Sequence, residues 1–402
     1  MKSIIISLFL AAFITLTIGC SERTSDDQIK DHAEQLAQTL IIVDTHIDVP
    51  YRLIKNWEDV SVRTKKGDFD YPRARAGGLD VPFMSIYVPA ETESIGTARQ
   101  VADSLIDLVE TLEKMAPNKF SIIKSVQDIK EEFGNGRVLL AMGMENGAPL
   151  EGDLSNLTYF YNRGIRYITL THSKSNHICD SSYDPNHQWN GLSPFGREVV
   201  VEMNRLGMMI DISHVSDSTF YQVIELSKSP LIASHSSCRA FTPGWERNMS
   251  DDMIIKLAEK GGVIQINFGS SFINDAYRKN FTPLWDHLEK TKMSEEEQIT
   301  YVKQFTADHP MDRADITEVV AHIDHVVHLV GINYVGIGSD FDGVGDSLPY
   351  GLKDVSAYPN LIYRLLKKGY TKEDVEKVCS GNILRVWSQV EKIAEKLQST
   401  NS

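Results

Sequence analysis

Eight short apolar runs recur along the chain, at 40–48, 82–88, 137–145, 165–172, 208–214, 231–235, 262–268 and 334–340. Their length and β-branched content suit strands buried on both faces, as in a parallel sheet. Between them the apolar spacing changes to a helical period. Val101, Leu105, Leu108, Val109 and Leu112 fall on one helix face, and 195–206 reads as a helix stopped by Gly207. Further helices are predicted over 216–229, 253–260, 316–330, about 360–368 and 372–397. Strands separated by helical segments argue for parallel β/α units, and eight of them close a barrel. The pattern therefore predicts an α/β fold, a (β/α)8 TIM-type barrel with extra C-terminal helices. Residues of about 273–312 break the rhythm with a polar stretch carrying Trp285 and Pro310, read as a helical insertion after the seventh strand. An open doubly wound sheet is the other candidate, but the Gly-rich phosphate turn it would carry after the first strand is missing.

The first residues follow another pattern. Lys2 precedes a short apolar run over 4–14, and Gly19-Cys20 leads into the polar Ser21-Glu22-Arg23-Thr24-Ser25-Asp26-Asp27. The run is short for a permanent membrane helix and reads as an export signal. Residues 1–19 resemble a bacterial lipoprotein signal, although Thr17 stands where an aliphatic residue is usual. That resemblance implies a lipidated Cys20, a polar tether over 20–36 and the barrel over 37–398, anchored in the cell envelope and facing the periplasm. Cleavage near Cys20 to release a soluble exported protein is the alternative. Three cysteines remain, Cys179, Cys238 and Cys379, so they cannot all pair, and a Cys179–Cys238 bridge stays open.

At 402 residues the chain can form one large barrel, and its net charge of −14 excludes a basic surface for nucleic acid. Chemistry enters at the strand ends, where barrels place their active sites. His46 and Asp48, Glu145, His172, His214, His235 and Asp340 stand at six of the eight ends. Carboxylates gathered there would repel one another unless a cation sat among them, and one or, better, two divalent metals meet that requirement. Imidazole with carboxylate suits zinc, with manganese, iron or cobalt as alternatives. Other histidines read differently. His322, His325 and His328 share one helix face, His287 and His309 fall in the insertion, and His177 and His187 lie on the loop after the fourth strand, where they could line the mouth.

At these residues the chain resembles the membrane dipeptidase (renal dipeptidase) family of the metal-dependent amidohydrolase superfamily. The resemblance rests on VDTHID at 43–48, RAGG at 75–78, GMENG at 143–147, TLTHS at 169–173, IDISHVS at 210–216, ASHSSCRA at 233–240, Arg247-Asn248, GIGSDFDG at 336–343 and GNILRVW at 381–387. It implies two zinc ions per chain, one on His46 and Asp48, the other on His214 and His235, with Glu145 bridging. It further implies that His172 contacts the substrate carbonyl, that Asp340 is the catalytic acid/base, and that Arg247 with Asn248 binds the substrate's C-terminal end. Dipeptides are then the substrates, and the resemblance extends them to a D-residue at the C-terminal position. Another amidohydrolase activity on the same metals, such as acyl-amino-acid or lactone hydrolysis, and a non-catalytic binding protein are the competing readings. Two departures bear on specificity: Leu79-Asp80 where the animal members have Gly-Gly, and Gly269 where they have tyrosine. The insertion is read as a cover for the site or a contact in a homodimer.

Overall fold

The computed structural model describes residues 25–400 apart from Lys292 and Met311, so residues 1–19, read above as a signal, and Cys20 lie outside the described residues. Nine parallel strands form: β1 (Val43–Ile47), β2 (Val81–Tyr87), β3 (Phe120–Ile122), β4 (Val138–Glu145), β5 (Ile165–Thr169), β6 (Met209–Asp211), β7 (Ile232–Ser236), β8 (Val263–Ile266) and β9 (Val335–Ile337). Eight of them run in the order β1-β2-β4-β5-β6-β7-β8-β9, and β3 pairs with β4 off that path. The ends of the path meet. Ile47 bridges to Phe341, the Asp340 amide donates to His46 O (3.1 Å), and the Asp48 amide donates to Phe341 O (2.8 Å). The result is a nearly closed (β/α)8 barrel, which rules out the open doubly wound sheet.

Helices follow the predicted alternation because their ends are capped. Ser193, Ser216 and Ser250 each accept a backbone amide as N-caps, and Gly207 ends its helix at φ 82°, a left-handed conformation that glycine adopts without steric cost. The helix Asn382–Thr400 buries Ile383, Val386, Trp387 and Val390, spaced as one helical stripe. That stripe joins the residues that begin the strands, among them Val43, Val81, Met209, Ile232 and Val263, in one apolar cluster. Trp387 lies 5.3 Å from Phe83, centroid to centroid, so this helix forms the floor beneath the polar strand ends.

Three features depart from the sequence expectations. The three-residue β3 is too short to show a period. The stretch expected as a tether over 20–36 is helical from Ser25, because Ala33, Leu36 and Ala37 bury one face and Asp26 bonds the Tyr363 hydroxyl (2.7 Å) and Lys367. Cys179 and Cys238 are both buried free thiols, so the possible bridge is absent. The insertion is helical as expected. Asp275–Lys290 and Glu295–Asp308 hold a small core of their own around Tyr277, Phe281 and Leu284. No helix among the described residues is long and apolar enough to cross a membrane.

Candidate metal centre

All the strand-end residues singled out above converge. At the end of β1 the register with β2 shifts between Asp44 and Ile47. Buried Asp44 accepts the amides of His46 (3.1 Å) and Ser339 (3.0 Å), which ties the two closing strands together beneath the site. His46 Nε2 then lies 3.6 Å from Asp48 and 3.4 Å from Glu145 Oε2. The other Glu145 oxygen, Oε1, lies 3.0 Å from His214, 3.2 Å from His235 and 3.6 Å from His172. One carboxylate thus faces His46 with one oxygen and three further histidines with the other.

His214 and Asp340 hold φ of 68° and 64°, left-handed values that side chains larger than glycine rarely adopt. Such strain is tolerated where the turn aims a functional group. Asp340 Oδ2 accepts the Asn267 amide (2.7 Å), and Gly343 leaves room for the carboxylates, since a Cβ there would lie 2.2 Å from both Asp340 Oδ1 and Asp48 Oδ2.

The electrostatics are those of a buried site with mixed charge. Burial pushes the pKa values of His214 and His235 well below the usual histidine value, helped by Arg247 beside both. Burial also opposes charge on His46, but Tyr167, Glu145 and Asp48 outweigh it and hold that pKa high. For Glu145 the histidines overcome the burial penalty and keep the carboxyl ionised. Asp340 is the exception: burial and the charge of Asp48 push its pKa up to about 8.

These groups fit divalent cations. His46 Nε2, Asp48 Oδ1, His172 Nδ1 and His214 Nδ1 are buried without hydrogen-bond partners, which a native site leaves only for a missing ligand or a functional reason. His46, Glu145 and His235; Glu145, His172 and His214; and His46, Asp48 and Asp340 each bring ligand atoms within 4.8 Å of one another. Donors bound to one zinc at 2.0–2.2 Å in a tetrahedron stand roughly 3.4 Å apart, close to the separations around Glu145.

Arg247 completes the cluster. It is buried, donates to Ser236 Oγ (2.8 Å) and His235 O (2.9 Å), and lies 3.1 Å from His214 Nε2. Its Nε has no partner, and no carboxylate pairs with it among the described residues. Asn248, expected at the substrate, has its side chain hydrogen-bonded to the protein itself. Its amide donates to Thr242 Oγ1 and Phe272 O, and its carbonyl accepts the Ser237 amide. Tyr87 and Tyr183, which no spacing marked, pack edge-on or tilted against His172 and His214 at 4.8 and 5.8 Å. The remaining histidines stay outside. His177 pairs with Glu93 (2.6 Å), His325 with Asp251 (2.8 Å), and His287 and His309 stack on Tyr301 and Phe305. His322 is fully buried and accepts the Cys238 amide (3.0 Å).

The profile of the membrane dipeptidase family, peptidase family M19, matches residues 30–401. An uncharacterized dipeptidase of Schizosaccharomyces pombe is 31% identical over 372 residues, 89% of this chain and 82% of that protein. Among solved structures, the probable dipeptidase PvdM from Pseudomonas aeruginosa superposes with a TM-score of 0.79 at 27% identity, over 91% of this chain and 99% of that one. A metallopeptidase from Rhodobacter sphaeroides, liganded with a phosphinate mimic of the dipeptide L-Ala-D-Ala, gives 0.73 at 25% identity, over 87% and 99%.

Proposed function

The chain belongs to the membrane dipeptidase family of metal-dependent peptidases, and on that premise we propose that it is an exported dipeptidase acting through two zinc ions. The observation that carries the reading is the buried, carboxylate-free guanidinium of Arg247 beside the Glu145–histidine cluster. An unpaired buried cation calls for an anionic partner, and a planar fork suits a carboxylate. A free C-terminal carboxylate on a short substrate would meet that need while its peptide bond lies over the histidines.

His46 and Asp48 would hold one ion, His214 and His235 the other, with Glu145 shared. Two cations there would polarise the scissile carbonyl and bring the pKa of a water to about 7. The residues supply the rest. Asp340, buried beside Asp48 with its Oδ2 held by the Asn267 side-chain amide, is placed to exchange protons. It takes one from the attacking water and delivers it to the leaving amine nitrogen. His172 donates to the developing oxyanion. The phosphinate-bound relative supports a tolerance for a D-residue at the C-terminal position. Lys2, the apolar run and Cys20 support export and lipid anchoring in the cell envelope. The exposed Trp285 and Ile299 on the insertion support a homodimer contact there.

Purified protein should cleave L,L- and L,D-dipeptides, lose activity on chelation and regain it with zinc. Asp340→Asn should keep its metal and lose about 10²- to 10⁴-fold in kcat. Equal cleavage of N-blocked dipeptides would favour an acyl-amino-acid hydrolase instead.

A further inference from the structure

Two of the histidines around Glu145 are held from behind by hydroxyl groups, and proton counting decides which way each hydroxyl points. A hydroxyl carries a single proton. The Tyr167 hydroxyl lies 2.9 Å from Thr45 O and 2.9 Å from His46 Nδ1. A backbone carbonyl only accepts, so the tyrosine proton goes to Thr45. The hydroxyl then has only a lone pair for His46, whose Nδ1 must carry its own hydrogen. On the opposite side Ser234 Oγ lies 2.6 Å from Asp211 Oδ2 and 2.8 Å from His235 Nδ1. Asp211 also accepts the amides of Ser213 (3.0 Å) and Ser234 (2.8 Å) and the Thr169 hydroxyl, so both of its oxygens act as acceptors. The serine proton therefore goes to Asp211, and His235 Nδ1 must likewise be a donor.

We propose that Tyr167 and the Asp211–Ser234 pair are positioning residues that keep Nδ1 of His46 and of His235 as a hydrogen donor, so that the Nε2 of each, facing Glu145, is the nitrogen left to take a cation. Tyr167, Asp211 and Ser234 are fully buried, so no water competes for these bonds. The Tyr167 ring is also fixed from outside: a Cβ on Gly143 would sit 2.0 Å from its Cζ. His172 and His214 have no such support, because the Nδ1 of each is unpartnered. In the two-ion reading, on which this inference rests, each ion thus has one locked histidine. The partner that orients a metal-binding imidazole influences affinity nearly as strongly as the ligand itself.

Asp211→Asn tests the relay by reversing it. The two backbone amides keep the Asn carbonyl on their side, which turns its NH₂ toward Ser234. The serine then accepts from Asn and donates its proton to His235 Nδ1, moving the imidazole hydrogen to Nε2, where it blocks a cation. A single misplaced proton in an otherwise intact geometry can disable a site. In full-length metal-free protein, ¹⁵N–¹H spectra of the imidazoles should show His235 as Nδ1–H in the wild type and as Nε2–H in Asp211→Asn. Zinc affinity by chelator competition should fall about 10- to 100-fold in Asp211→Asn, Ser234→Ala and Tyr167→Phe, and Ser234→Thr, which keeps the hydroxyl, should restore it. An unchanged His235 tautomer with wild-type zinc affinity in folded Asp211→Asn would overturn the relay. The tautomer is read without metal or substrate, so failure of the dipeptidase reading shows separately, as a wild type that binds no zinc or cleaves no dipeptide.

Discussion

Gly343→Ala places one methyl group where two carboxylates meet. A Cβ at this position would stand 2.2 Å from Asp48 Oδ2 and 2.2 Å from Asp340 Oδ1. That is more than about 1 Å inside an ordinary contact of about 3.5 Å. Gly343 is not among the residues with positive φ, so alanine carries no backbone penalty there. The whole effect therefore falls on the carboxylates, both of which must retreat by about 1 Å. Displacement of that size at a catalytic group costs on the order of 10²-fold in rate, and both groups here move together. Overpacking of a tight site costs about 1–3 kcal/mol in stability, which a large barrel survives. The assay pairs kcat/KM on a dipeptide with zinc content and thermal melting of the same preparation. Expected are a fold that melts within a few degrees of wild type, a loss of about 100-fold or more in kcat/KM, and weakened zinc retention. A folded variant with wild-type kcat/KM and two bound ions would show that Asp48 and Asp340 do not act from these positions.

Two further predictions concern buried groups. Arg247→Lys keeps the charge and loses the planar fork, so kcat/KM on dipeptides with a free carboxylate should fall about 10- to 100-fold, the value of a charge-assisted bond of about 1.5–3 kcal/mol. Dipeptide amides should be hydrolysed nearly as before, and equal losses on both would remove Arg247 from carboxylate recognition. His322 is neutral in the folded chain, because burial drives its pKa from 6.5 down to about 4 against the opposing bond to Ile273 O. A folded value below the unfolded one means that this contribution is complete above pH 6.5 and is lost as the pH falls through about 4. At about 1.4 kcal/mol per pH unit the loss is roughly 3 kcal/mol. Urea unfolding of His322→Asn should show a deficit at pH 7.5 that shrinks by about this amount by pH 4; a constant deficit would contradict the assignment.

Strand and helix periods were legible along the chain because both faces of each barrel strand are buried. Apolar runs such as 137–145 therefore stand out against the amphipathic helices between them. The short β3 escaped because three residues carry no period. The helix at Ser25 escaped because the polar composition of its exposed face hid a stripe of only three buried residues. The strand-end histidines and acids were legible for a similar reason: a polar group that ends an apolar strand is conspicuous in sequence. The residues that orient them were not. Tyr167 sits in a strand of buried residues, where a tyrosine reads as one more aromatic, and its partner His46 is 121 positions away. Asp211 and Ser234 belong to different strands, and only the register of β6 against β7 brings them within 2.6 Å. The same holds for Asn248, for which the resemblance implies a substrate contact and whose side chain bonds Ser237, Thr242 and Phe272. The sequence by itself determined the eight strands of the barrel, the alternation with helices, and which side chains end the strands, because these follow from the local periods of burial. Only closure of the barrel decided that the two oxygens of Glu145 face opposite histidine sets. It also decided that the β1 end carrying His46 and Asp48 lies beside Asp340, because that depends on β1 meeting β9 across nearly the whole length of the chain.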